Sequence, residues 1–125
     1  MISPCIKIGN NKYLDGGLTN PIPFDKAFAD ENDKAVVVLT QDGGYKKQKQ
    51  KMLNLIRLKY IKYPKIYEAL KVRHKLYNRQ LEELDNLERW SKVLIIRPDS
   101  PVEFNRIETD LVKLKALYHK GEELY

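Results

Sequence analysis

Lys34-Ala35-Val36-Val37-Val38-Leu39-Thr40 and Lys92-Val93-Leu94-Ile95-Ile96-Arg97-Pro98 decide the fold class of this chain. Each is a short continuous run of β-branched and aliphatic residues with polar ends and no alternation. Such a run suits a central strand covered on both faces, the pattern of sheets that carry helices above and below. The residues between the two runs read as helix. Two buried strands separated by helices imply parallel pairing through crossover connections. The predicted class is therefore α/β, with short parallel strands and helical crossovers.

Working outward from the first strand, Gln41-Asp42-Gly43-Gly44 ends it, read as a strand-to-helix turn. Met52, Leu53, Ile56 and Tyr60 then recur at helical spacing. Tyr63-Pro64 makes a boundary. From Lys65 the pattern resumes through Ile66, Leu70, Tyr77, Leu81, Leu84 and Leu87, with Lys71, Lys75, Glu82, Asp85 and Arg89 on the remaining face. This is an amphipathic helix with one packed side. Pro98 stops the second strand. A last helix is predicted over residues 107–120, with Leu111, Leu114 and Leu117 on one stripe and Gly121 as its stop.

On the N-terminal side, Phe24–Ala29 reads as a short helix. Ile6-Lys7-Ile8 and Lys12-Tyr13-Leu14, flanking Gly9-Asn10-Asn11, form a hairpin signal. Pro21 and Pro23 keep the intervening segment extended. The order is hairpin, short helix, strand, helices, strand, helix. Two parallel strands make a poor sheet alone, which agrees with further strands supplied by residues preceding this chain. The expected division is 1–44 and 45–125, the latter a helix-rich extension with one buried strand.

The 125 residues suit one small domain or part of a larger one. No apolar run is long enough to span a bilayer. Met1-Ile2-Ser3-Pro4-Cys5 lacks the basic and apolar regions of a signal peptide. The cytoplasm or a membrane periphery is the expected location. Cys5, the one cysteine, excludes an internal disulfide and is expected to be a buried thiol. His74 and His119 are expected on the surface. Neither they nor Glu82-Glu83, Asp85 and Glu88 show metal-ligand spacing, so no metal or cofactor is expected. Trp90, Phe104 and the tyrosines outside the basic stretch are expected to pack the core.

The stretch with chemical content is Tyr13-Leu14-Asp15-Gly16-Gly17-Leu18-Thr19-Asn20-Pro21-Ile22-Pro23. Asp15 closes a strand and precedes two glycines, which tolerate tight turns and close approach. A carboxylate so placed can reach a reacting group on a neighbouring loop. The chain carries a second Asp-Gly-Gly at Asp42. That one lacks the proline segment and runs into Tyr45-Lys46-Lys47. Asp-Gly alone is also an ordinary turn signal.

This segment resembles the Asp-Gly-Gly motif of patatin-like phospholipases, strongest over Ser3–Leu39. The resemblance rests on Ser3-Pro4, Tyr13-Leu14-Asp15-Gly16-Gly17, Asn20-Pro21-Ile22-Pro23 and Val36-Val37-Val38-Leu39-Thr40, in that order. Tyr63-Pro64, Arg73 with Tyr77-Asn78, Ile96-Arg97-Pro98 and Leu117-Tyr118-His119-Lys120-Gly121 resemble the C-terminal extension of bacterial members. The resemblance implies the C-terminal part of a three-layer αβα fold acting on lipid or phospholipid esters through a Ser-Asp dyad. It makes residues 1–44 the end of the catalytic domain, Asp15 the base, and Gly16 and Gly17 the turn presenting it. No Gly-x-Ser-x-Gly occurs in the chain, nor does a Gly-rich oxyanion loop. The nucleophile would lie outside these residues, and the isolated chain would be inactive and prone to self-associate.

A basic stretch stands apart. Between residues 45 and 75 eleven Lys and Arg face one acid, Glu68, whereas the whole chain is only +6. Tyr45, Tyr60, Tyr63 and Tyr67 interleave with it. Three readings compete, in this order. The first is a solvated helix face. The second is an anionic membrane surface contacted through Lys46, Lys47, Lys49, Lys51, Arg57 and Lys59. The third is nucleic-acid phosphate. The alternative to an acyl hydrolase is accordingly a non-catalytic basic binding module.

Overall fold

The computed structural model describes residues 5–101 and 109–123. It is a mixed α/β arrangement with one parallel and one antiparallel sheet of two strands each. β1 (Ile6–Ile8) and β2 (Asn11–Tyr13) form the predicted hairpin, turning through Gly9, whose φ of 58° is left-handed. A 3₁₀ turn (Gly16–Leu18) and α1 (Phe24–Ala29) follow. β3 (Ala35–Val38) pairs in parallel with β4 (Val93–Ile96), Ala35 opposite Val93 and Val38 opposite Ile96. Between them lie α2 (Leu53–Lys59) and the 26-residue α3 (Pro64–Arg89). α4 (Leu111–Glu122) closes the described chain.

α3 starts with Pro64 at its first helical position, where a missing N–H costs nothing. It ends in a Schellman arrangement: Ser91, at φ 55°, donates its N–H to Glu88 O, and Lys92 donates to Leu87 O. α1 ends the same way, with Glu31 at φ 63° donating to Phe28 O and Asn32 to Ala27 O. Each motif hands its chain straight into a strand of the parallel sheet. The core lies between the inner face of that sheet and α1 and α3. Leu84, at 0 % exposure, sits among Ile22, Leu39 and Val93, with Phe24, Phe28, Val37 and Ile95 around them.

The two-sided burial expected of the strands is not found. Among the described residues helices cover one face only, and Val36, Val38 and Leu94 stand 62 %, 67 % and 59 % exposed on the other. An unbroken apolar run reads the same whether the second face is covered or bare. Cys5 is exposed, as are the hairpin strand residues beside it, over which no described element packs. Trp90 is 72 % exposed, because it follows the last turn of α3 on its outer side; Tyr13 and Tyr118 are exposed too. Phe104 lies outside the described residues. Asp42-Gly43-Gly44 leads into an irregular segment over 45–50, not directly into a helix. His74 is half-buried on α3.

α4 begins at Leu111, capped by Asp110, whose carboxylate accepts from the N–H groups of Val112 and Lys113; the predicted start at Ile107 lies outside the described residues. Gly121 falls inside this helix and does not stop it. The Leu111 and Leu114 stripe is exposed, and among the described residues α4 packs on no other helix or strand. Lys120 Nζ donates to Ser100 Oγ at 2.8 Å.

Candidate functional site

Asp15 is the cap of the 3₁₀ turn. Its Oδ1 accepts from the Gly17 N–H at 2.8 Å, and its carbonyl accepts from Leu18 N–H. The side chain is exposed, with its orientation fixed by that bond. Gly17 has a steric role that Gly16 lacks. A Cβ at Gly17 would lie 3.2 Å from Asp15 Oδ1 and 3.4 Å from an Arg73 guanidinium nitrogen, whereas one at Gly16 would meet open space.

The loop is held from below by α3. Arg73 Nε–H donates to Gly17 O at 2.6 Å. Two turns further along the same stripe of α3, buried Gln80 takes hold of the proline segment. Its Oε1 accepts from Ile22 N–H at 3.2 Å, while Nε2 donates to Ile22 O at 2.9 Å and to Asn20 Oδ1 at 2.7 Å. Asn20 in turn donates to Asp25 Oδ1. Gln80 thus pairs both backbone groups of Ile22, which enters the core. Buried polar groups require such partners. Asp15 is therefore an exposed carboxylate on a loop tied at two points to the longest helix.

The second Asp-Gly-Gly repeats the local geometry. Asp42 Oδ1 accepts from Gly44 N–H at 2.8 Å, and a Cβ on Gly43 would lie 3.4 Å from the Arg97 guanidinium carbon. Arg97 pairs with Asp85 at 3.2 Å. Asp42 is half-buried where Asp15 is exposed. The segment after it is also tied to α3: the Asn78 amide brackets Lys47, accepting from its N–H at 2.8 Å and donating to its C=O at 3.2 Å. Lys47 Nζ lies 4.9 Å from the centre of the Tyr77 ring, a cation–π distance. Tyr45 meets that ring edge-on. Burial holds the Tyr77 hydroxyl above the usual tyrosine range, Tyr45 adds to this, and Arg73 works against it.

The predicted basic set therefore divides. Lys47 and Arg73 turn inward, while Lys46, Lys49, Lys51, Arg57, Lys59, Lys62 and Lys65 are exposed. Lys12, exposed on the hairpin, donates to Tyr63 Oη at 3.2 Å, and that bond raises its pKa. Among the described residues no group of three or more His, Cys, Asp and Glu could hold a metal, and no helix is long and apolar enough to cross a membrane. Reading the sequence missed Gln80 and the anchoring roles of Asn20 and Arg73. Helical spacing carried the signal, because 73 and 80 fall on the same stripe as 70, 77, 84 and 87.

Residues 63–124 match a protein family described as a domain of unknown function (DUF6363), which takes in α3, β4 and α4. No curated protein matches the chain. No solved structure matches it either.

Proposed function

We propose that this chain supplies the carboxylate half of a patatin-like serine acyl hydrolase acting on lipid esters. The observation that carries the reading is Asp15 itself: exposed, oriented by the Gly17 N–H, and mounted on a loop anchored by Arg73 and Gln80. A catalytic base needs such fixed placement with open access. The uncovered apolar face at Val36, Val38 and Leu94 supports further structure packing there, as a three-layer αβα fold would provide.

A serine hydroxyl from outside these residues attacks the ester carbonyl, and Asp15 takes its proton. The tetrahedral intermediate collapses to an acyl-serine as the alcohol leaves with that proton. Water, deprotonated by the same carboxylate, then releases the fatty acid.

The test uses the product of the coding sequence that joins this chain to a Gly-x-Ser-x-Gly segment, assayed on a chromogenic fatty-acid ester. Asp15→Asn is expected to lower kcat by ~10²–10⁴-fold, the usual effect of losing a positioned base. Asp42→Asn should leave activity near that of the wild type. Equal losses at the two sites, or full activity in Asp15→Asn, would refute the assignment, as would burst ester hydrolysis by these residues alone.

A further inference from the structure

We propose that the outer face of α2 and the turn after it form a docking surface for membranes that carry anionic lipid. The inference stands on α2 alone and does not rest on the acyl-hydrolase reading. α2 is apolar on two sides. Leu53, Ile56 and Tyr60 are half-buried on the side towards α3, which accounts for one set. The rest of the surface of α2 carries Met52, Leu55, Leu58 and Ile61, 55–73 % exposed, with Leu58 and Ile61 bordering the cleft towards α3. Core packing does not explain these side chains.

What surrounds them selects the occupant. Lys51, Arg57, Lys59 and Lys62 are exposed within the same few residues, and the stretch as a whole is the cationic part of the chain. A solvated face would hold the cations without the leucines. Contact with nucleic-acid phosphate also needs cations, but it buries no large aliphatic side chains. Leu, Ile and Met flanked by Lys and Arg is the composition of an interfacial helix, with the apolar groups at the acyl boundary and the cations among anionic head groups. A cleft of about 650 Å³ opens between α2 and the start of α3, lined in part by Arg57, Tyr60, Ile61, Tyr67 and Lys71. Glu68 is there too, 4.0 Å from Lys71. Two cations beside tyrosines suit a phosphate head group at the edge of the inserted face.

The experiment is co-sedimentation of the full chain with phosphatidylcholine vesicles containing or lacking phosphatidylserine. Binding is expected only with phosphatidylserine and should weaken as salt screens the cations. Lys51→Gln combined with Lys59→Gln should lower the partition coefficient by more than tenfold, roughly fivefold per charge removed. Leu55→Gln combined with Leu58→Gln should lower it at least roughly tenfold, through lost apolar insertion. Both leucines are exposed, so the thermal melt should not change. A second readout does not depend on that pair: Leu58→Trp in a Trp90→Phe background should shift its emission to the blue on phosphatidylserine vesicles. Equal binding to both vesicle types would overturn the proposal, as would no blue shift. Cation-dependent binding to duplex DNA, stronger than to vesicles and indifferent to the leucine substitutions, would overturn it in favour of nucleic acid.

Discussion

Gln80→Leu tests how the candidate loop is held. Gln80 is buried, and its amide makes three bonds, two of them to the backbone of buried Ile22. Leucine keeps most of the volume and removes both ends of the amide. Ile22 N–H and C=O are then left without partners, at about 1–3 kcal/mol each. The added apolar burial returns about 1 kcal/mol. The expected loss is about 1–5 kcal/mol, or a melting temperature lower by roughly 4–20 °C in a chain of this size. Urea denaturation should show a lower midpoint at an unchanged slope, and amide exchange at Ile22 should accelerate.

Gln80→Glu sharpens the test. An ionised carboxyl still accepts from Ile22 N–H but sets a negative oxygen against Ile22 C=O and Asn20 Oδ1. Protonation restores the donor, so the introduced carboxyl has a folded pKa above its unfolded one. Its stability contribution is then complete below the ordinary glutamate value near ~4.3 and is lost as pH rises through the folded value. The deficit should be large at neutral pH and shrink on acidification. A Gln80→Leu variant within about 0.5 kcal/mol of wild type, the range of surface substitutions, would refute the reasoning. A Gln80→Glu deficit independent of pH would do the same.

Tyr77 gives a second pH dependence. Burial raises its folded pKa above the ordinary 10.0, so its contribution is complete below that value and falls as pH rises through the folded one. Tyr77→Phe should flatten the alkaline limb of stability, measured by urea melts on either side of 10.0; an unaltered limb would count against it. The bare sheet face is expected to make the chain self-associate at micromolar concentration, and Val36→Lys with Val38→Lys should return it to a monomer by light scattering. A wild-type monomer with cooperative unfolding would rule that out.

The strands, the hairpin and the long helix were legible because each rests on local spacing. β3 and β4 lie within the runs that suggested them, in parallel as the intervening helices required. The uncovered face was not legible, since Val36 and Val38 carry no mark of what covers them. The bounds of α1 were legible, but the turns that close α1 and α3 were hidden for a different reason: Glu31 and Ser91 take the left-handed positions that glycine would have advertised. Asp15 and its glycines were legible as a turn presenting a carboxylate. Its supports were not, because Arg73 and Gln80 read as polar residues and only their place on the packed stripe marks them as inward.

Arg73 and Gln80 are seven residues apart on α3, about 10.5 Å along its axis at 1.5 Å per residue. They grip the loop at Gly17 and Ile22, so the helix pitch works as a ruler for the chain between. Fully extended, five residues reach no more than about 18 Å, and the 3₁₀ turn takes up most of the slack. Surface loops ordinarily absorb inserted or deleted residues. This one has a set length: an added residue must bulge outward and a missing one must be made up by unwinding the 3₁₀ turn. The position of Asp15 is thereby indexed to the helix, and not to the loop that carries it.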